Sequence, residues 1–428
     1  MAFSSMQQIL FQAIDDQFPS NMNAWQNISH QCYTSPDTKI QELFFPLLHR
    51  NGFSVQYLDL DQQILYAEYM VQAPQTLLFC LQDTPQASAQ QVVFPLFSQM
   101  AALRAYIHSS GQLPVNIKWL IMGQGPTTST SLAQLLSEQT QLFQADGCIL
   151  YTTKREISKV IDQTELILGI KGHLAVKLFL KVAEKMIPAS YGSIAPDAAW
   201  QLLWLLGSVK SAHEEVLLEN FYDSLLPAED EILEALARLP DTTKDLTTSW
   251  GLSQLLLGLE GSQQHYAHFL TPSCNITMLE SNTIAENDKQ KSWEGSLPSQ
   301  ASAQLDFYLL PGQDPYAIFT KLEQHLHSQT AYELQCQLLT AQHPIYTSVH
   351  THLVQRIQQT LIDVYQQPPL LLPSTSGTFP YALLANRLSI PTISLAPPLL
   401  STADTEHVYQ QLNQSMKQNI LFIASMDD

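Results

Sequence analysis

The side chains able to ligate a metal or move a proton are dispersed along the chain rather than gathered in one motif. His265 and His268 stand i, i+3, while His325 and His327, like His350 and His352, stand i, i+2. The i, i+2 spacing points side chains apart on a helix. None of these pairs is joined by a carboxylate in the His-Glu-x-x-His manner of zinc hydrolases, so all read as solvated histidines. The five cysteines, Cys32, Cys80, Cys148, Cys274 and Cys336, include no C-x-x-C pair. Such an odd, scattered set argues against a disulfide scaffold and against a thiolate zinc site. Cys80 as a nucleophile has no His/Asp partner in view and reads as a buried strand thiol. Gly123-Gln124-Gly125 followed by Pro-Thr-Thr-Ser is a strand-to-helix turn whose amides could face an anion. It has no P-loop lysine, and helix capping by the hydroxyls of Thr127–Ser131 is the simpler explanation.

The elements that must position these groups follow two rhythms. Residues 5–18 and 37–50 carry helical apolar spacing, the second stopped by Asn51-Gly52. Extended stretches 53–58, 64–71 and 76–80 come next, then a helix 92–109, a buried strand 115–123, a helix 131–143 and a strand 145–151. This alternation predicts a parallel or mixed sheet covered on both faces. After residue 167 the pattern changes. Residues 169–184 read as one long strand, 195–208 as an apolar helix and 280–303 as a polar loop or hairpin. Strand 304–312, helix 314–328 and strand 332–339 complete a small α+β layer. From residue 343 the first rhythm returns, with helix 349–365, strand 369–372, helix 380–387, strand 391–395 and a last helix. The expected architecture is an α/β domain from 1–168 and 343–428, with an α+β domain of 169–342 inserted in it.

Composition narrows the function classes. At roughly 150 residues per domain, 428 residues make two or three domains. A formal charge of −19 repels phosphate backbones and anionic lipid headgroups, so neither nucleic-acid nor membrane-surface binding is expected. No apolar run approaches the ~18 residues of a membrane span. The start, MAFSSMQQILFQAIDDQF, lacks a basic region and reads poorly as a signal peptide, so a cytoplasmic protein is expected.

Several phrases resemble the M20 family of zinc peptidases and deacylases, with the flavour of its carnosinase-like dipeptidase branch. They are LPVNIKWLIMG (113–123) with LLSEQTQLFQADGCIL (135–150), YGSIAPDAAWQLLWLLGSVK (191–210), PSCNITMLES (272–281), LDFYLLPGQDP (305–315) and SGTFPYALLANRLSIPTISL (376–395). Each is weak alone, but they run in family order over nearly the whole chain. The resemblance implies a three-layer α/β/α domain with an inserted lid that also forms a dimer interface. It also implies a zinc pair at the carboxyl ends of the sheet strands, bridged by an aspartate and a water, with a glutamate as general base for amide hydrolysis.

Carried over residue by residue, that centre is missing. The family's first motif, a strand ending in His-x-Asp, reads LLFCLQDTPQ (77–86) here, so the ligand histidine falls on Leu81 while the aspartate is kept as Asp83. Asp83 then has no imidazole to orient and reads as a turn or cap residue. The Gly-rich loop supplying the bridging aspartate is deleted: residues 84–91 contain no Asp, Glu or His. The general base and the ligand after it fall on Gly125 and Pro126, and residues 122–131 hold no carboxylate. The next acidic ligand falls at Tyr151-Thr152, several residues before Glu156. The lid histidine falls near Ile187, the lid arginine on Tyr308 and a substrate-binding arginine near Ser374. The final ligand motif corresponds to STADTEHVYQ (401–410), where His407 is the one leftover candidate.

One imidazole cannot hold a zinc pair, and loss of the base alone costs about 10²–10⁴-fold. The sequence therefore predicts an inactive M20-like protein without a metal cofactor. Architectural residues persist, among them Gly192, Pro196, Trp200, Pro311-Gly312 and, at a strand-to-helix junction that faces substrate in the family, Gly377-Thr378. Leu81, Asp83, Gly125, Tyr151, Asn275, Tyr308, Gly377 and Thr378 are expected to line a neutral cleft for a peptide-like ligand or a protein partner. The lid is expected to form a homodimer. The alternative is a hydrolase with a rebuilt site, such as a single metal on His407 and Asp83.

Overall fold

Breaker residues and apolar period set the elements of this chain, whose computed structural model describes residues 5–34, 40–59, 63–82, 89–123, 126–152, 155–157, 163–282, 295–375, 381–396 and 405–427. Helices α1 (Ser5–Thr34) and α2 (Ile40–Arg50) precede strands β1 (Ser54–Tyr57), β2 (Ile64–Tyr69) and β3 (Thr76–Gln82). Helix α3 (Ala89–Ser110), β4 (Asn116–Met122), α4 (Pro126–Glu138), β5 (Gly147–Tyr151), β6 (Glu165–Ile167) and β7 (Gly169–Ile170) follow. The next group is β8 (Gly172–Lys181), β9 (Ile187–Pro188), α5 (Ala198–Val209), α6 (Asp230–Ala237), α7 (Thr243–Trp250) and α8 (Ser262–Leu270). Then come β10 (Ser273–Ser281), β11 (Ser296–Leu297), β12 (Gln300–Leu309), α9 (Pro315–Gln329), β13 (Glu333–Gln342) and β14 (Ile345–Tyr346). The chain closes with α10 (His352–Tyr365), β15 (Leu370–Leu372), α11 (Tyr381–Leu388), β16 (Thr392–Ala396) and α12 (Thr405–Ala424).

The larger sheet has the order β1-β2-β4-β3-β5-β16-β6-β15, and its middle strands β4, β3, β5 and β16 are mutually parallel. Every residue of β4 and β5 is buried, as strands covered on both faces require. Alternation along β3 sends Leu77, Phe79 and Leu81 into one core layer with α1, α3 and α12, and Leu78 and Cys80 into the other with α4 and α11. This is the three-layer α/β/α arrangement that the sequence predicts.

Two departures have local causes. Helix α1 runs sixteen residues beyond the predicted end at residue 18, through Pro19 to Thr34. Trp25 packs edge-on to Phe94 at 6.0 Å and against Phe97 at 5.4 Å on α3, and this burial offsets the hydrogen bond the proline removes. The predicted strand 169–184 is split at Lys171, because β7 pairs with β14 whereas β8 enters the lid sheet. A Cβ on Gly169 would lie 2.2 Å from the Ile345 carbonyl oxygen, and one on Gly172 would lie 2.7 Å from Pro344 Cδ. Only glycine lets the two chain crossings between the domains lie this close.

The lid sheet, ordered β10-β12-β8-β13, is antiparallel throughout. Its inner face (Leu174, Val176, Leu178, Leu180, Ala303, Leu305, Phe307) packs on α5 and α9. Both helices start at aspartate caps: Asp197 accepts from the amides of Ala199 and Trp200, and Asp314 from those of Tyr316 and Ala317. Within the span 169–342, Ile232, Leu236, Leu239 and Phe269 of the α6–α8 region are buried in the core of the larger sheet. The Glu229 carboxylate also accepts from the Val349 amide at 3.0 Å. These helices thus pack on the α/β domain although they lie inside the lid's stretch of sequence.

Candidate functional site

In an open α/β sheet the natural binding crevice lies outside the carboxyl ends of the strands, where the strand order reverses. Here β3 has β4 on one side and β5 on the other, so the crevice is framed by the ends of these three strands and β16. The connections leaving them include residues 83–88, 124–125, 153–154 and 397–404. Asp83 and Gly125 fall in these connections and Gly377 and Thr378 in residues 376–380 after β15, all outside the described residues.

Two expected cleft residues belong to the core instead. Leu81 is fully buried with Phe79, Ile121 and Tyr151, because its position on the pleat aims it into the α3/α12 layer. Tyr151 is aimed the same way: its ring stacks on Trp119 (5.9 Å, 10°) and Phe79 (6.2 Å, 12°), and its hydroxyl donates to Asn419 Oδ1 at 3.3 Å. Burial, with a smaller contribution from Tyr365, holds its phenol well above the ordinary value. The end of β4 is closed by neutral amides. Gly123 donates to the Gln63 carbonyl at 2.7 Å, as does Gln41 Nε2 at 2.9 Å, and a Cβ on Gly123 would meet Gln63 Oε1 at 2.1 Å. Ser374, at the place of the substrate-binding arginine, is buried with its hydroxyl unpaired among the described residues.

The lid contributes a polar group that the sequence reading missed. Asn275 and Tyr308, both expected cleft residues, lie on the outer face of the lid sheet, Asn275 opposite Asp306 and Tyr308 beside His173. Asp306 accepts from His173 Nε2 at 2.8 Å, from Gln304 Nε2 at 3.0 Å and from the Thr277 hydroxyl. Burial raises the Asp306 carboxyl, but the hydrogen bonds from Thr277, Gln304 and His173 outweigh it and hold the group below the usual carboxylate range. The hydroxyl bonds the carboxylate rather than the imidazole, so this is not a nucleophile–base chain. The available signal was a histidine and an aspartate at outward positions of otherwise apolar strands. His407, in the first turn of α12, accepts at Nε2 from Gln411 Nε2 at 2.9 Å.

Two buried charges stand near the junction of the domains. Glu165 is fully buried, accepts from the amides of Glu156 (2.9 Å) and Ile157 (3.0 Å), and lies 3.4 Å from Arg155 Nη2. Burial raises its carboxyl beyond what Arg155 and those amides offset. Lys171 donates to the His268 carbonyl oxygen, and burial pulls its pKa down to about 8, with Glu156 opposing. Its ordinary value is 10.5, so between about pH 8 and 10 the unfolded chain binds more protons. Stability should therefore rise with pH in that window, the Lys171 contribution approaching about 1.4 kcal/mol per pH unit. Below it the lysine is charged in both states and adds no slope. Urea melts at pH 8, 9 and 10 check this, and Lys171→Met should remove that contribution.

No protein-family model matches the chain. Human Beta-Ala-His dipeptidase is 20% identical over 321 residues, covering 73% of this chain and 61% of that protein, so the chain spans under two-thirds of the relative's length. The M20 family metallo-carboxypeptidase Sso-CP2 of Sulfolobus solfataricus superposes with a TM-score of 0.71 at 22% identity, over 90% of this chain and 96% of that one. Human carnosine dipeptidase 1 gives a TM-score of 0.65 at 16% identity over 99% of each chain. The fold is that of the M20 peptidases. Of the positions where the resemblance expects a zinc ligand, Leu81 has no lone pair and is sealed in the core, and the Tyr151 hydroxyl donates to Asn419. Among the described residues no helix is long and apolar enough to cross a membrane.

Proposed function

We propose that this chain is an M20-peptidase-like protein whose dizinc centre is dismantled, and that it acts by binding a peptide-like ligand or a protein partner. The observation that carries this reading is Leu81, fully buried at the strand end where the resemblance requires an imidazole. It is supported by the absence of any carboxylate in residues 122–131 and of any Asp, Glu or His in residues 84–91. A hydrolase rebuilt around Asp83 and His407 is the opposing outcome. The test is a panel of dipeptides and N-acyl amino acids with added Zn²⁺, Mn²⁺ or Co²⁺. No metal-dependent turnover is expected; turnover abolished by Asp83→Asn or His407→Ala would establish the rebuilt enzyme.

The same reading includes a homodimer through the lid. On α5, Trp200 and Trp204 are 57% and 61% exposed with rings 6.0 Å apart, and Leu203 beside them is 42% exposed. Apolar area of this kind marks an interaction surface. Light scattering should give twice the chain mass, and Trp204→Glu should shift it toward the monomer.

A further inference from the structure

Helix α9 and edge strand β13 bring together three ligating side chains that neither element carries alone. On α9, Glu323 and His327 stand i, i+4, so they share one flank of the helix beside its buried stripe Ile318, Leu322 and Leu326. On β13, Cys336 alternates with Leu334 and Leu338 on the face that packs with the lid core, and it is half-buried at the sheet edge. A carboxylate oxygen of Glu323, an imidazole nitrogen of His327 and the Sγ of Cys336 all lie within 4.8 Å of one another. Among the described residues this is the one such group of three. The Glu323 carboxylate has no hydrogen-bond or ion-pair partner among the described residues. His327 Nδ1 lies 2.8 Å from the Glu323 backbone carbonyl oxygen. With Nδ1 donating that bond the ring is held on its helix and Nε2 keeps its lone pair, the way metal-binding imidazoles are oriented by a backbone acceptor.

We propose that Glu323, His327 and Cys336 form a lid site for a thiophilic divalent cation of the zinc type, with a fourth position open to water. Zinc takes sulfur at about 2.3 Å and nitrogen or oxygen at about 2.0–2.2 Å in tetrahedral array. Ligand atoms then stand roughly 3.3–3.8 Å apart, so a pair standing at the 4.8 Å limit closes by about an ångström when the ion binds. Glu323 is not fully buried and can make that move by side-chain rotation. A thiolate with an imidazole selects zinc-like ions over Mg²⁺ and Ca²⁺, which prefer oxygen-only shells. As the sulfur–metal bond forms, the thiol proton passes to solvent. The bound ion would clip β13, an edge strand, to the helix that covers it. The spacing Glu-x₃-His-x₈-Cys matches no familiar zinc motif, which explains why the sequence reads Cys336 as one of a scattered set and His327 as solvated. The site shares no residue with the strand ends of the larger sheet, so it stands or falls separately from the function proposed above.

The test is Co²⁺ titration of the full chain, stripped by chelator and kept reduced. One equivalent should bring up the visible absorption of four-coordinate cobalt together with a near-ultraviolet thiolate-to-cobalt charge-transfer band, and Zn²⁺ should bleach both. Cys336→Ser should lose the charge-transfer band, and His327→Ala should weaken Co²⁺ binding about tenfold or more, the scale of losing one metal ligand's support. Zn²⁺ should raise the melting temperature of the unmodified chain and leave that of Cys336→Ser unchanged. Absence of the thiolate band, or its survival in a folded Cys336→Ser protein, would overturn the site. Should Cys336→Ser fail to fold, Glu323→Gln and His327→Ala decide the matter by the same spectrum.

Discussion

Glu165→Ala should lower the unfolding free energy by about 3–5 kcal/mol. The native pair itself is worth little, since burial raises the Glu165 carboxyl despite Arg155 beside it. Removing one partner is a different matter. Arg155, 4% exposed at its side chain, would keep its charge in a site built for a carboxylate, and the amides of Glu156 and Ile157 would lose their acceptor. Glu165→Gln keeps one acceptor oxygen and should lose roughly half as much. Denaturant unfolding measures both, and hydrogen exchange at residues 155–157 should quicken first because Glu165 pins that segment. A loss under about 1 kcal/mol for Glu165→Ala would mean that water replaces the carboxylate.

Returning an imidazole to the end of β3 should not return hydrolysis. Leu81→His places a polar ring in a fully buried slot between Phe79 and Ile121, at a cost of about 2–5 kcal/mol. One imidazole cannot hold two metal ions, and residues 122–131, where the resemblance places a general base worth about 10²–10⁴-fold, contain no carboxylate. The variant should melt well below the parent and show no turnover of dipeptides with added Zn²⁺, Mn²⁺ or Co²⁺. Metal-dependent turnover in Leu81→His alone would show that the remaining ligands lie in the strand-end connections.

These effects separate what the sequence discloses from what it conceals. The buried run of β4 and the stop at Asn51-Gly52 were legible because each is a local pattern, and Gly52 does take φ +85°. The continuation of α1 past Pro19 was not, because Trp25 secures it through contacts with α3 some seventy residues away. The break at Lys171 comes from sheet pairing with residues 342–346, which no short window contains. Between residues 209 and 271 no element was predicted, and α6, α7 and α8 form there, α6 and α8 by burying a few side chains against the other domain. The same holds for the chemistry. The assignment of ligand positions to Leu81, Gly125 and Tyr151 is read from motif order alone, but a motif cannot say which way a side chain faces. The pleat sends Leu81 and Tyr151 inward. Asp306 with His173, and Glu323 with His327 and Cys336, are juxtapositions across strands or between helix and strand, invisible until the lid sheet is assembled.

The most direct measurement is an anomalous difference map from a crystal of the full chain carrying His327→Ala and Cys336→Ser, grown with excess Zn²⁺ and recorded at the zinc edge. Removing the lid ligands leaves the strand ends as the place to look. The expected map has no paired peaks beyond the carboxyl ends of β3, β4 and β5. Two adjacent peaks there, bound by side chains of this chain, would contradict the proposed loss of the metal centre.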